Sequence, residues 1–219
     1  MICWCDNGLT DGKFTEGLVY TIIGSGLPIN NAMRIQGNQI GRQRQNAMEY
    51  WVDKTKNDWI LWIDSDIHLT PDILYKLWSN ADAKERPIVS GVYFISKENE
   101  QPMMKPYPAI FNWVEGDDYA ISYVHPFPEE EKLMQVGCAG FGLLLMHKSV
   151  VEKMRKKHGN IPFFNETGVG DKFVSEDVNF FKLMRDAEVP LYVHTGAIGR
   201  HFKRFSFDEA YYQNYWKDK

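Results

Sequence analysis

The stretch Trp59-Ile-Leu-Trp-Ile-Asp-Ser-Asp66 decides the fold of this chain. Its first five residues form an unbroken apolar run, which is typical of a central strand buried on both faces of a sheet. Two aspartates follow the run, and ligands of open α/β sheets collect beyond the carboxyl ends of the strands. Because residues two apart in an extended segment project to the same face, the stretch predicts a strand that delivers two carboxylates to a site.

Regular elements on both sides of this strand predict an α/β fold. The sequence before it predicts alternating strands and helices, at residues 2–5, 14–24, 31–35 and 39–52. After it, Thr70-Pro71-Asp72 has the N-cap, the first-turn proline and the acidic residue of a helix start. The later segments predict a more mixed order, with strands at 87–94, 109–113, 119–124 and 191–194, a glycine-rich and then strongly apolar segment at 137–146, and helices at 149–157 and 175–187. We therefore expect a mostly parallel, Rossmann-like central sheet flanked by helices, with a mixed second half.

Composition limits the classes of protein to which the chain can belong. Its 219 residues suit one domain, and a net charge of −4 argues against a nucleic-acid binder. No apolar run is long enough to span a bilayer, and the first residues do not resemble a signal peptide, so we expect a soluble cytoplasmic protein. Three cysteines without a Cys-x-x-Cys pair indicate free thiols. The many aromatic residues suit carbohydrate stacking, although an aromatic core explains them equally well.

Two acidic positions and a late histidine are the candidate metal ligands. Asp64 and Asp66 offer hard oxygen ligands for Mn²⁺ or Mg²⁺. A polar turn that caps the next helix is the alternative, but Thr70 already fills that capping role. His201 is a possible third ligand through its neutral imidazole. The neighbouring Lys203 could neutralise a diphosphate leaving group, and a solvated basic tail is the alternative there.

Further charged residues have both a structural and a functional interpretation. Glu176 and Asp177 open a predicted helix, where acidic residues favour the helix dipole without any other role. In the functional interpretation, one of them accepts a proton from an acceptor hydroxyl. Arg42 and Arg44 lie near the start of the helix that precedes the metal strand. One of these arginines could bind phosphate or orient Asp64, and a solvated helix face is the alternative.

Taken in order, five segments resemble the GT-A fold glycosyltransferases related to family 2. They are residues 59–67, Pro87-Ile-Val-Ser-Gly-Val-Tyr93, Gly137-Cys-Ala-Gly-Phe-Gly-Leu-Leu-Leu-Met146, Ser175-Glu-Asp-Val-Asn-Phe180 and Gly199-Arg-His201. The resemblance implies one catalytic domain, with a nucleotide-binding half at residues 1–95, an acceptor and catalytic half at 96–205, and a tail at 206–219. Two positions depart from the family pattern, since Gln45 precedes Asn46 and Ser175 precedes the Glu-Asp pair.

The resemblance also assigns roles on the donor side. It implies that Asp64-Ser65-Asp66 holds the metal and the diphosphate of the donor. Within this stretch, Asp66 would ligate the metal and Asp64 would contact the ribose or the sugar. His201 would complete the metal site. The strand that ends at Cys5-Asp6-Asn7 would hold the nucleobase.

On the acceptor side, the resemblance implies that Asp177 is the general base of an inverting enzyme. In a retaining enzyme, Asp177 or Glu176 would position the acceptor. Gly140 lies in a segment that would line the pocket for the acceptor and the donor sugar. We thus expect a Mn²⁺- or Mg²⁺-dependent enzyme that moves a sugar from a nucleotide-sugar, by default a UDP-sugar, to a hydroxyl acceptor such as a saccharide. The inverting course is favoured.

Three other functions are compatible with an Asp-x-Asp sequence after a strand. One is a phosphatase of the haloacid-dehalogenase type, although His68 stands where that pattern has Thr or Val. A second is a nucleotidyltransferase, which also binds a nucleotide through metal-bound carboxylates. The third is a carbohydrate-binding protein on a transferase scaffold without activity, against which the joint presence of Asp64, Asp66, Asp177 and His201 argues.

Overall fold

The structure is a computed structural model, and it describes residues 1–96, 105–169 and 172–203 together with Glu209 and Gln213. Arg204 and nearly all of the predicted tail at 206–219 lie outside the described residues. Within the described part, no helix is both long and apolar enough to cross a membrane.

The described residues form five helices and sixteen strands. The helices are α1 (Gly12–Gly24), α2 (Ile40–Lys54), α3 (Pro71–Asn80), α4 (Ser149–His158) and α5 (Glu176–Asp186). The first eight strands are β1 (Ile2–Asp6), β2 (Ala32–Gln36), β3 (Trp59–Ile63), β4 (Ile67–His68), β5 (Ile88–Val92), β6 (Phe94–Ile95), β7 (Tyr107–Pro108) and β8 (Ile110–Trp113). The remaining strands are β9 (Ile121–Tyr123), β10 (Leu133–Val136), β11 (Cys138–Ala139), β12 (Leu143–His147), β13 (Thr167–Val169), β14 (Lys172–Val174), β15 (Leu191–Ile198) and β16 (Arg200–His201).

A seven-stranded sheet in the order β10-β15-β5-β12-β3-β1-β2 forms the centre of the fold. Five of its strands run in one direction, while β10 and β12 run in the other. The predicted Rossmann-like, mostly parallel sheet with a mixed second half is therefore confirmed. Strand β3 lies between β12 and β1, and four of its five residues are buried, as the apolar run predicts.

Helices cover both faces of this sheet because the side chains of β3 alternate between two cores. Ile60 and Trp62 belong to one apolar cluster, which includes the buried faces of α2, α4 and α5. Leu61 and Ile63 belong to the other, which includes the buried faces of α1 and α3. The start of α3 is as predicted, with Thr70 Oγ1 accepting a hydrogen bond from the backbone N–H of Ile73.

The structure differs from the predicted elements at two places. The segment 137–146, for which no element was predicted, contains the strands β11 and β12 on either side of Gly140 to Gly142. Residues 161–171 were predicted as a loop, but they contain β13, which pairs with β14 directly after them in a short hairpin. Strand β15 extends beyond the predicted residue 194 to Ile198, which carries the chain to the site edge of the sheet. All three cysteines are free and buried, as expected.

Candidate functional site

The carboxyl ends of the parallel strands collect the candidate residues at one edge of the sheet. Asp6 ends β1, Asp64 follows β3 and Tyr93 follows β5. The antiparallel strand β12 begins at this edge, and the backbone N–H of Asp64 donates to the carbonyl of Gly142 at 2.9 Å just before it. Residues far apart in sequence therefore meet where an open α/β sheet places its ligand site.

The guanidinium of Arg44 is the centre of this edge. It is buried on α2 and forms ion pairs with three carboxylates, those of Asp64, Glu176 and Asp177. The Nη2 atom donates to Asp64 Oδ1 at 3.0 Å, and the Nη1 atom donates to Glu176 Oε1 at 2.8 Å and to Asp177 Oδ1. One cation thus holds a residue from the end of β3 and two residues from the first turn of α5 in fixed positions.

An aromatic cluster packs against the guanidinium of Arg44. The Phe141 ring lies 5.2 Å from the Arg44 guanidinium carbon, a cation–π distance. It also packs edge-on against Trp62 and Phe180. The backbone N–H of Phe141 donates to Asp177 Oδ2 at 3.1 Å, so the same residue positions the carboxylate that Arg44 holds.

Burial raises the pKa of Asp177 to about 7, against the attraction of Arg44. The negative charges of Glu176 and Asp64 raise it further. Three carboxylates share one guanidinium, so protonation of one of them relieves their mutual repulsion. Asp177 has a more accessible side chain than Glu176, with 21% against 10% exposed. Asp177 therefore has the pKa and the access that suit a proton acceptor near neutral pH.

The structure separates the two arginines that the sequence left as alternatives. Arg42 is exposed and makes no ion pair or hydrogen bond within the described part of the chain. Arg44 is buried, and its guanidinium is shared among carboxylates of the protein itself. Of the two roles expected for one of these arginines, Arg44 has the one that orients Asp64, and contact of either arginine with the donor stays a prediction.

The side chains of Asp66 and His201 lie close together in the site. Strand β16 pairs antiparallel with β4, with His201 opposite Ile67. This pairing places His201 Nε2 3.3 Å from Asp66 Oδ2. The ammonium of Lys203 lies 2.7 Å from the same oxygen. Burial alone would raise the pKa of Asp66, but hydrogen bonds from His201 and Lys203 outweigh it and lower that pKa below its ordinary value.

The donor atoms of this pair fit a divalent cation. His201 Nδ1 lies 2.9 Å from the carbonyl oxygen of Phe94, and since a carbonyl only accepts, Nδ1 carries the proton. In the neutral ring, Nε2 then presents a lone pair towards the Asp66 carboxylate. A second proton on Nε2 lets the ring donate to Asp66, and a divalent cation could take the place of that proton between the two atoms. A histidine fixed by a backbone carbonyl beside a carboxylate is the arrangement that metal ligands adopt.

The predicted set of three metal ligands is not assembled by the protein alone. Among the described residues, no group of three or more His, Cys, Asp and Glu side chains is close enough to hold a metal ion. Asp66 and His201 form a pair, while the Asp64 carboxylate is directed to Arg44. The Oδ1 atom of Asp64 accepts from a buried guanidinium, so only its Oδ2 atom is left for a metal, and the role of Asp64 as a ligand stays a prediction. Ser65, the residue between the aspartates, contributes a backbone carbonyl that accepts from the N–H of Asp11 at 2.9 Å.

Tyr93 is a site residue that the sequence analysis missed. Its buried hydroxyl accepts a hydrogen bond from the backbone N–H of Gly142 at 3.3 Å, and its ring lies 5.1 Å from that of His201. A Cβ on Gly140 would lie 2.0 Å from this hydroxyl, and a Cβ on Gly142 would lie 2.5 Å from Asp64 Oδ2. The glycines allow this close approach, so Gly140 shapes the site through Tyr93. The signal in the sequence was the position of Tyr93 directly after a buried strand.

The residues predicted to hold the nucleobase lie at the end of β1, where they have partners within the protein, and their contact with a base stays a prediction. The Asp6 side chain is fully buried, and its two oxygens accept from Arg34 Nε at 2.6 Å, from Arg34 Nη2 at 2.8 Å and from the backbone N–H of Gly8 at 2.7 Å. Cys5 is also buried, and Asn7 Oδ1 accepts from the backbone N–H of Leu9. With Asp6 occupied inside the protein, the accessible group at this strand end is the guanidinium of Arg34, with 42% of its side chain exposed.

Comparison with known families identifies the family of this chain. The family described as Glycosyl transferase family 2 matches residues 34–155, which is more than half of the chain. The chain belongs to glycosyl transferase family 2. It has the GT-A, Rossmann-like fold of that family.

Relatives of this chain agree with that assignment. The chain is 24% identical over 110 residues to the mannan polymerase complex subunit MNN9 of Candida albicans. That match covers 49% of this chain but 27% of MNN9, so the chain corresponds to about a quarter of that protein's length.

Solved structures resemble the chain in fold. The crystal structure of A197 from STIV has a TM-score of 0.56 at 14% identity, and the match covers 93% of this chain and 85% of A197. The crystal structure of GalNAc-T7 with UDP, GalNAc and Mn²⁺ has a TM-score of 0.53 at 10% identity, covering 93% of this chain and 38% of GalNAc-T7. At these identities the likeness concerns the fold alone.

The family 2 match covers part of the candidate site. Arg44, Asp64, Asp66 and Tyr93 lie within residues 34–155, whereas Asp177 lies beyond them. The acidic first turn of α5 and the strand β16, which also contribute to the site, therefore lie outside the matched region.

Proposed function

We propose that this protein is a glycosyltransferase that moves a sugar from a nucleotide-sugar, with UDP-sugars as the default donors, to a hydroxyl of a saccharide acceptor with inversion at the anomeric carbon. The observation that carries the proposal is the Arg44 ion-pair network. It holds the donor-side carboxylate of Asp64 and the acceptor-side carboxylate of Asp177 on one guanidinium. Residues 1–95 would then bind the nucleotide, and residues 96–205 would provide the acceptor side.

The proposed donor site combines the pair of Asp66 and His201 with two cationic side chains. Asp66 and His201 would hold Mn²⁺ or Mg²⁺, and such an ion neutralises negative charge on a diphosphate. Lys203, beside Asp66, would bind an oxygen of the departing phosphate. Arg34, fixed by Asp6 at the end of β1, would contact the nucleobase or the ribose.

The proposed reaction uses Asp177 as the general base. The acceptor hydroxyl oxygen forms a bond to the anomeric carbon while its proton passes to Asp177. The bond from that carbon to the phosphate oxygen breaks, and its electron pair leaves with the nucleoside diphosphate. Arg44 keeps Asp177 in place, and Glu176 stays bound to the same guanidinium as a positioning group. A pKa of about 7 lets Asp177 take the proton near neutral pH.

The sugar is the next choice to test. The relative MNN9 is named as a subunit of a mannan polymerase complex, so mannose belongs among the sugars tested together with glucose and N-acetylgalactosamine. The base is tested in parallel, because Arg34 offers donors that match acceptor atoms on several bases.

The decisive experiment measures nucleoside diphosphate release from a panel of nucleotide-sugars, with Mn²⁺, with Mg²⁺ and with EDTA. We expect metal-dependent release that increases with a saccharide acceptor and is lost in Asp177→Asn, while the donor still binds. Release of pyrophosphate would indicate a nucleotidyltransferase instead. Phosphate release from p-nitrophenyl phosphate without a sugar nucleotide would indicate a phosphatase. Saccharide binding without turnover of any donor would indicate a binding protein.

A further inference from the structure

A second cavity opens at the end of the sheet opposite the candidate site. It has a volume of about 280 Å³ and lies where β3 begins, against α3 and the loop before β2. Trp59 and Trp78 form part of its wall, with ring centroids 5.8 Å apart and planes at 71°. Strand β3 separates Trp59 from Asp64 by five residues, or roughly 17 Å at ~3.3 Å per residue, so this cavity is distinct from the candidate site.

Trp78 is the most exposed of the six tryptophans that the structure describes. It is 39% exposed, whereas Trp51 and Trp62 are almost fully buried. An exposed indole beside a cavity loses the stabilisation that burial of a large aromatic side chain provides. The exposed part of the Trp78 ring is therefore available for contact with a ligand.

The cavity is lined by neutral and charged polar groups, and the charged ones are Lys56, Asp58 and the terminal ammonium of Met1. The indole N–H groups of Trp59 and Trp78 and the amides of Asn30 and Asn57 make no hydrogen bonds to other residues in the described part of the chain. The carboxylate of Asp58 is paired with Lys148, and the terminal ammonium of Met1 donates to the carbonyl of Trp59 at 2.8 Å. Side-chain amides both donate and accept, as sugar hydroxyls do, so the two asparagines and the two indole N–H groups can bind the hydroxyls of a saccharide.

We propose that this cavity is a second saccharide-binding site, which holds one or two neutral sugar rings against Trp78. Its volume lies near the lower limit of ligand pockets, which begin at ~300 Å³. The choice of a saccharide rests on the proposed function, because a glycosyltransferase with a saccharide acceptor meets glycan chains as substrate and product. A second contact on the same glycan would raise its overall affinity without any change at the catalytic edge.

The test measures binding of neutral disaccharides, namely maltose, cellobiose and mannobiose, by saturation-transfer NMR and tryptophan fluorescence in the absence of nucleotide. We expect at least one of them to bind wild-type protein and to bind Trp78→Ala at least tenfold more weakly. Trp78→Phe should recover part of the affinity. The matched control is Tyr75→Ala, since Tyr75 lies on the same helix and is 63% exposed but does not line the cavity. This control should bind like wild type.

A second variant keeps failure of this proposal distinct from failure of the proposed function. Asp177→Asn should bind the disaccharide like wild type, because the cavity is remote from α5. Saccharide binding that depends on Trp78 would support the second site even if no donor were turned over. The proposal is overturned if no disaccharide binds, if Trp78→Ala binds as tightly as wild type, or if Asp177→Asn removes the binding.

Discussion

Arg44 on α2 donates a hydrogen bond from Nη1 to Oδ1 of Asp177 on α5, although 133 positions separate the two residues along the chain. The other guanidinium nitrogen donates to Asp64 at the end of β3. The donor side and the acceptor side of the proposed reaction are therefore held in register by one buried side chain. Several measurable consequences follow from this arrangement.

Replacement of Arg44 should impair both catalysis and stability. Arg44→Lys keeps the charge but cannot donate to three carboxylates at once, so we expect kcat to fall by about 10- to 100-fold. Arg44→Met leaves three carboxylates without their cation and should lower the free energy of unfolding by about 3–5 kcal/mol. Steady-state kinetics and urea unfolding measure the two effects. Arg42→Lys is the matched control on the same helix, and an equal loss of activity in this exposed neighbour would contradict the assignment.

The rate of transfer should depend on the protonation of Asp177. With a pKa of about 7, the carboxylate is protonated in acid, so log kcat should rise with pH up to about 7 and level off above it. Asp177→Asn should lower kcat by about 10²- to 10⁴-fold at every pH. A rate profile that is flat from pH 5 to pH 9 in the wild type would exclude this carboxyl as the base.

The free energy of unfolding should also depend on the protonation of Asp177, but it should fall as the pH rises. The folded-state pKa of about 7 lies above the ordinary value of 3.8, so the folded protein holds this proton more tightly than the unfolded chain. The stabilisation is fully present below pH 3.8 and is lost as the pH rises through about 7. Urea unfolding across this range should show the decline in wild type, and Asp177→Asn should reduce it. A decline of equal size in both proteins would assign it to other groups.

Lys203 should oppose metal binding and yet promote transfer. Its ammonium lies on the Asp66 oxygen that faces His201, so a divalent cation must displace it in the donor-free protein. We expect Lys203→Met to bind Mn²⁺ more tightly in a calorimetric titration without donor. The same variant should have a lower kcat, because it lacks a cation for the departing diphosphate. His201→Ala serves as the contrast, since it should weaken Mn²⁺ binding; an unchanged Mn²⁺ affinity in both variants would place the metal elsewhere.

Loss of the Tyr93 hydroxyl should affect the site without unfolding the protein. Tyr93→Phe keeps the ring beside His201 but removes the acceptor of the Gly142 N–H, at a cost of about 1–3 kcal/mol for an unpaired buried group. Because Gly142 also contacts Asp64, we expect a higher KM for the donor as well as a lower Tm. Kinetics at varied donor concentration test this, and a lower Tm with unchanged kinetics would leave Tyr93 a purely structural role.

Periodicity and residue type were sufficient for the framework around β3. An apolar run of five residues is typical of a strand in the middle of a sheet, and the Thr70-Pro71-Asp72 start of α3 depends on contacts within a single turn. These features are local in sequence. The hairpin of β13 and β14 was missed, because short strands paired only with each other have little apolar periodicity.

The acidic and basic candidates could be selected from sequence, but their partners could not. Either arginine of α2 could have joined the carboxylates of the site. Only the structure shows that Arg44 lies on the buried face of α2 and Arg42 does not. Asp6 was taken as a ligand contact, yet pairing of β1 with β2 brings Arg34 beside it and occupies both of its oxygens. Tyr93 has no motif of its own, since its role depends on two glycines that are about 50 positions later.

The sequence by itself determined the α/β framework, the two aspartates after β3 and the resemblance to family 2 glycosyltransferases, because these depend on patterns within short segments. Only the tertiary structure decided that Arg44 joins Asp64 to α5, that His201 faces Asp66, and that Trp59 and Trp78 share a cavity. The physical reason is that these contacts depend on directions of side chains across strands and helices that are distant in sequence. Packing of the two cores on either side of the sheet sets those directions.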